Sequence, residues 1–248
     1  MSKDLFNKWL ESVATTSVGV SIYRERSGSR SAGLKALKIL LADHFVGVAT
    51  VVRAGGYQKA AAIIANSLPK SKKTKSGDLG ELLATEYINA ETEFVVPINK
   101  LRWKSDSEMA MHGNDVIGVD TSTNPIRVLK GECKSRANFS NSVAEEAVES
   151  LDKHDGRPNP STLAFIAKRL YEEARDDEAN VFRDLQTGGT MAAKNVTHMI
   201  FALSGNDPAK LLAGAPKSKH RGIKRESTAI LITDHSAFID EVFNSYGT

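Results

Sequence analysis

A single cysteine stands among 248 residues, so neither an internal disulfide framework nor a cysteine-based zinc cluster holds this chain together. It has no apolar stretch of about 18 residues and no cationic, apolar, cleavable start, which sets the expectation of a cytoplasmic protein outside any membrane. It also lacks a Gly-x-x-x-x-Gly-Lys-Ser/Thr loop, so it cannot couple ATP to motion by that device. Internal repeats and long low-complexity tracts are missing too. Charge of one sign does not dominate: 33 Lys and Arg against 30 Asp and Glu leave a formal +3, which alone says little about partners.

What is present is enough apolar material for a core. With 41% hydrophobic residues, a chain of this length accommodates one large α/β domain or such a core with a helical extension. Residues 1–69 read as a mainly helical N-terminal lobe, rich in Leu, Ala and Val over 33–52 and in Ala over 58–67, and closing at Pro69. Residues 70–248 read as a second domain, with strands expected at 94–98, 115–120, 126–134, 197–203 and 227–233. Helices are expected over 142–152 and from Ser161 onward, the latter with Leu163, Phe165, Ile166 and Leu170 on its apolar stripe and an acidic end at 172–178. Such a charge run reads as a solvated face, with docking of a basic partner as the alternative.

The densest chemical signal is Val128-Leu129-Lys130-Gly131-Glu132-Cys133-Lys134-Ser135. Residues two apart on a strand share a face, so Glu132 and Lys134 stand side by side while Leu129, Gly131 and Cys133 face the other way. A carboxylate on an otherwise buried strand needs compensation, and a metal ion carrying water is one form of it. Asp115 lies upstream in its own glycine-flanked apolar segment, and a turn at Asn124-Pro125 returns the chain antiparallel, so Asp115 and Glu132 can converge. A third acid, Glu81, comes from a helix with apolar positions at 79, 82, 83 and 87, its start capped by Ser76 or Asp78. Gly77 and Gly80 permit that helix to approach a sheet closely.

Helix Glu, strand Asp and strand Glu-x-Lys, in that order, resemble the PD-(D/E)XK nuclease superfamily. More narrowly, Gly80-Glu81, His112-Gly113-Asn114-Asp115 and Gly131-Glu132-Cys133-Lys134 look like the HamA family of nuclease subunits from the Hachiman anti-phage defence system. The resemblance implies a restriction-endonuclease-like core, a central mixed sheet flanked by helices. It implies a Mg²⁺-dependent DNase, with Mn²⁺ as a substitute, and catalytic residues Glu81, Asp115, Glu132 and Lys134. The metal ligands would be Glu81, Asp115, Glu132 and the Cys133 backbone carbonyl. The implied partners are DNA and a superfamily 2, HamB-like helicase subunit in a heteromeric complex. Two features depart from the superfamily pattern: Asp115 is not preceded by Pro, and the helix after Lys134 shows no Gln or second Lys.

Basic clusters at 70–75, 100–104 and 217–225 flank this acidic centre, a layout suited to an anionic backbone, although each cluster alone also reads as a solvated loop. Lys72, Lys73, Lys75, Arg102, Lys104 and His112 are the DNA-binding candidates, His112 equally reading as a strand terminator. Three alternatives stay open: a Glu132–Lys134 ion pair with Asp115 merely capping a turn, an inactive nucleic-acid-binding subunit, and an unrelated α/β enzyme acting on a small molecule. Cys133 reads as a buried strand residue rather than a reactive thiol.

Overall fold

A computed structural model describes residues 2–187 and 191–246, so the expected outer limits of the two domains at 1 and 248 lie outside the described residues. The chain begins with α1 (Ser2–Trp9), β1 (Leu10–Val13), β2 (Val20–Glu25), α2 (Arg30–Phe45), α3 (Val48–Arg53) and α4 (Tyr57–Ser67). It continues with α5 (Lys72–Glu91), a 3₁₀ turn (Lys100–Trp103), β3 (Val116–Asp120), β4 (Arg127–Arg136), α6 (Asn141–Asp152), α7 (Pro160–Glu172) and α8 (Asp176–Thr187). β5 (Val196–Ser204), α9 (Ala209–Gly214), β6 (Lys224–Leu231) and α10 (His235–Asn244) complete it. The result is the α/β architecture expected, a mixed six-stranded sheet of order β1-β2-β6-β5-β4-β3 flanked by helices. No helix of the described residues is long and apolar enough to cross a membrane.

The sheet is parallel from β2 through β6 and β5 to β4 and antiparallel at both edges. β5 lies in the middle, covered on both faces, which is why Val196–Ser204 is buried along its whole length and reads as a near-continuous apolar run. α1, α2, α5 and α10 contribute to one core on one face, around Leu37, Leu82, Phe201, Ile230 and Phe238. α6 and α9 pack on the other face against Ile22, Ile200 and Ala229, and α7 and α8 cover the β3 end against Ile117 and Val128.

The N-terminal segment is mainly helical, but it also supplies β1 and β2, and β2 pairs in parallel with β6. Phe6, Trp9 and Leu41 share a core with Leu79, Leu83 and Phe243, so apolar packing runs continuously across residue 69. The alternation that builds β2, with Val20 and Ile22 buried and Ser21 exposed, is a period-2 pattern short enough to be outweighed by the Leu- and Ala-rich stretches that follow it.

Three further elements differ from the expectation. Residues 94–98 form no strand, only a single bridge of Val95 to Val119, because Pro97 lacks the N–H that a continued ladder requires. α5 starts at Lys72, not at 76–78: the Ser71 hydroxyl accepts from Thr74 N at 3.2 Å and caps it, which puts the lysine run into the first turn. The acidic helix breaks at Ala174, which adopts φ 57°, and Asp176, Asp177 and Glu178 then occupy the first turn of α8, where the helix dipole favours them.

Trp9 locks the N-terminal segment to the rest. Its ring stacks on Phe238 at 5.6 Å and its indole N–H donates to Glu25 Oε1 at 2.9 Å. α2 approaches this ring at Gly33, where a Cβ would stand 2.6 Å from Trp9 Cδ1, and the fully buried ring has nowhere to retreat. Gly33→Ala therefore overpacks this contact and should lower stability by about 1–3 kcal/mol, read as a fall in the denaturant midpoint.

Candidate active site

β4 is longer than its edge neighbour. β3 pairs only with residues 127–131 of β4, from Asp120↔Arg127 to Val116↔Gly131, while β5 accompanies β4 as far as Arg136. Beyond Gly131 one edge of β4 is therefore uncovered by β3, and Asp115, the residue just before β3, turns into that opening. Its Oδ2 accepts from the Cys133 N–H at 2.8 Å in place of the missing strand. The N–H and C=O of one strand residue point to the same edge, so the Cys133 carbonyl is directed to this side too.

Glu132 and Lys134 share the opposite face of β4 from Cys133, as the alternation requires. Lys134 Nζ lies 3.0 Å from Glu132 Oε1, and Ser150 of α6 donates to Glu132 Oε2 at 2.7 Å. α5 covers the other face and passes close to β4 at Gly80, where a Cβ would stand in ordinary contact with Ser135 Cβ at 3.5 Å and Cys133 Cβ at 3.9 Å. From α5, Glu81 reaches the same strand end. Lys100 Nζ stands 4.0 Å from Glu81 Oε2 and donates to Asn114 O at 2.7 Å, tying the approach of the Asp115 segment to the helix carboxylate.

The electrostatics of this end are those of crowded anions. Burial and then the Asp115 charge push the Glu81 carboxyl well above the ordinary carboxylate range. Burial and then Glu132 push Asp115 up as well, against the opposing pull of the Cys133 N–H, Lys100 and Lys134. Glu81 Oε2 is buried with no hydrogen-bond partner among the described residues. Burial raises the Cys133 thiol well above its usual value, which makes it an unreactive group.

An unpartnered buried carboxylate oxygen and two carboxyls with raised proton affinity signal a deficit of positive charge, which a divalent cation with oxygen ligands would supply. The donors are of the right chemistry for Mg²⁺. As the side chains stand, however, no three His, Cys, Asp or Glu among the described residues enclose a common point for an ion. Glu81 approaches from the α5 face of β4, and Glu132 is drawn to Lys134 and Ser150 on the other.

The basic candidates fare unequally. Lys72 and Lys73 are exposed and make no ion pair among the described residues. Lys75 Nζ sits 5.9 Å over the Phe243 ring and 3.8 Å from Asp240. Arg102 is held by Asp43 and Glu173, and Lys104 is buried between Asp78 Oδ2 and Ser107 O, both at 2.7 Å. His112 is exposed and lines a cavity of about 330 Å³ with Lys100 and Trp103. In the 217–225 cluster, Ser218, Lys219 and His220 bind around Asp152, and Arg225 donates to the carbonyls of Ala215 and Pro216. Lys100, Ser150 and Glu146, which lies 4.0 Å from Lys134, were not among the expected site residues. Only Lys100 carried any signal, as part of a basic cluster, because contacts from α6 to β4 leave no local mark in a sequence.

Comparison with known proteins places this chain in a family. A family model described as HamA matches residues 3–245. The Hachiman protein HamA of Bacillus cereus is 31% identical over 176 residues, 71% of this chain and 62% of that relative, so the match spans less than two thirds of the relative's length.

Lys104 offers a test of an internal rather than a ligand-binding role. Burial holds the Asp78 carboxyl up at about 6 even though Lys104 pulls it down. Removing the ammonium raises it further, and a carboxyl whose folded pKa lies above its unfolded value destabilises the fold above the folded pKa and not below the unfolded one. Lys104→Met should thus cost about 3 kcal/mol at pH 8, with the loss shrinking toward pH 4 in denaturant titrations.

Proposed function

Because the chain belongs to the HamA family, we propose that it is a metal-dependent DNase, the effector of an anti-phage defence complex that acts beside a helicase. The observation that carries this reading is the gathering of Glu81, Asp115, Glu132 and Lys134 at the uncovered end of β4, with Glu81 Oε2 left without a hydrogen-bond partner among the described residues. Asp115, Glu132 and the Cys133 carbonyl would hold Mg²⁺ or Mn²⁺, with Glu81 completing the set. When bound, the ion would supply Lewis-acid polarisation of a phosphate and acidify water.

The chain's own residues supply the rest of phosphodiester hydrolysis. Glu132 and Lys134 neutralise one another at 3.0 Å, and with Glu132 committed as a ligand the Lys134 ammonium would be free to act on the substrate. That ammonium then orients the attacking water and offsets the charge growing on the phosphate. Lys100, placed between Glu81 and the Asn114 carbonyl, adds a second positive charge on the α5 side. Cys133 N–H fixes the Asp115 carboxylate, leaving Oδ1 for a ligand.

A second reading, an inactive nucleic-acid-binding subunit, draws support from the engagement of Glu132 by Lys134 and Ser150. Cleavage separates the two. Asp115→Asn, Glu132→Gln and Lys134→Ala should each keep the fold by circular dichroism and lower the rate of plasmid cleavage by about 100-fold or more with Mg²⁺ and the helicase present. EDTA should abolish cutting and Mn²⁺ restore it, whereas Ca²⁺, larger and less demanding of geometry, should not. Folded variants that cut at the wild-type rate would sink the assignment.

The chain has no phosphate-binding loop of its own, so sensing of DNA by ATP-driven motion falls to the partner. Co-expression with a HamB-like helicase should give one stable heteromeric species on gel filtration, with cutting held low until DNA is engaged. Separate elution at micromolar concentration, with unrestrained cutting by this chain alone, would remove the restrained-effector part of the reading and leave the nuclease part.

A further inference from the structure

β4 does not end at Lys134. Its last residues, Ser135 and Arg136, run into a cavity of about 250 Å³ between the first turns of α5 and the start of α10, where Lys72, Lys73, Ser76 and His235 complete the relevant wall. Lys72, Lys73 and Arg136 are exposed and none of them makes an ion pair among the described residues. Arg136 donates to the Ser135 carbonyl at 2.9 Å. Asp240 also lines the cavity, but Lys75 stands 3.8 Å from it and answers its charge. The cavity is left with three positive side chains and no free carboxylate.

Its floor carries two hydroxyls and an imidazole. Ser76 Oγ donates to Ser135 Oγ at 2.8 Å, and Ser135 Oγ meets His235 Nε2 at 3.0 Å. Burial holds the His235 ring's pKa below its usual value. Ser135 and His235 are buried, whereas the cations stand at the rim. Three cations converging on a pocket beside the opening turn of a long helix, with no free carboxylate to oppose them, suit an anion with several acceptor oxygens.

The position relative to the carboxylates says which anion. Ser135 lies three positions beyond Glu132 on an extended strand, about 10 Å away, and Ser76 lies five positions before Glu81 on a helix, about 7.5 Å along its axis. Successive phosphates of one extended strand stand roughly twice the duplex axial rise of about 3.4 Å apart, so an anion in the cavity falls about one to two nucleotides from a phosphate at the carboxylates. We propose that this cavity is a phosphate-binding subsite that grips the substrate strand about one to two nucleotides from the bond to be cut. The inference rests on the nuclease reading and adds to it the means by which the strand is held. The phosphate is either an internal phosphodiester or a terminal phosphomonoester.

The test is binding of the full chain, with EDTA present to prevent cutting, to three fluorescent single-stranded DNAs of one sequence: a linear strand with terminal phosphate, the same strand with hydroxyl ends, and a circle. Anisotropy should show Lys72→Gln/Lys73→Gln binding at least about tenfold more weakly than wild type, with the salt slope reduced by about 1.4, and Arg136→Gln reducing the slope by about 0.7. Equal losses on all three DNAs identify an internal phosphodiester, and a loss confined to the phosphorylated end identifies a terminal group. Unchanged affinity and slope would overturn the subsite, as would an equal loss in the control Lys35→Gln/Lys59→Gln, whose lysines are exposed elsewhere. So would a wild-type chain that binds none of the three. If cutting still depends on Asp115 while Lys72→Gln/Lys73→Gln binds normally, the subsite fails and the nuclease reading stands.

Discussion

Like charge held at close quarters is the constraint on which this structure turns. On top of burial, the Asp115 charge raises the proton affinity of Glu81 and the Glu132 charge raises that of Asp115, and Lys100 and Lys134 only partly offset the repulsion. Left to a flexible segment, such groups would separate into water. Here each comes from a different element, and the elements cannot part. β4 is zipped to β5 along nine residue pairs, α5 is buried along most of its length, and the Asp115 carboxylate is itself bonded to the Cys133 backbone. The stiffness of the sheet is what keeps the acids together.

The same frame explains where positive charge is available. A formal excess of three cations is too small to attract nucleic acid by itself, and much of the basic inventory is engaged internally: Lys104 by Asp78, Arg102 by Asp43, Arg30 by Glu25 and Arg175 by Glu178. Other cations carry no ion pair among the described residues, and three of these stand together. Lys72 and Lys73 on the first turn of α5 and Arg136 at the end of β4 flank the continuation of the strand that carries Glu132 and Lys134. Acids at one point of β4 and cations a few residues further along give a polarity to the surface, suited to a ligand that is itself an extended anion.

Much of the fold was readable because its signals are local. The alternation over residues 127–136, the turn before it and the helical spacing over 141–152 each lie within a dozen residues, and all three elements are present. β1 and β2 escaped because β2 finds its partner β6 some two hundred positions later, and a strand of six residues beside a helix of sixteen leaves a weak trace. The start of α5 was displaced by a cap: Ser71, Ser76 and Asp78 are all residues that favour a helix start, and only the packed structure selects Ser71.

By itself the sequence determined the order of the chemistry: an acid on a helix, an acid at a strand start, then an acid and a lysine on one face of the next strand. Those statements follow from periods of 3.6 and 2, which any chain obeys locally. Tertiary structure alone decided which edge of β4 is uncovered, which lysines are free and where a cavity opens. Each of those outcomes depends on partners distant in the chain: Asp115 to Cys133 across 18 residues, Lys104 to Asp78 across 26 and Ser135 to His235 across 100. A local pattern can say that a side chain is charged and which way it faces, but the neighbour that neutralises it is chosen only when the sheet closes.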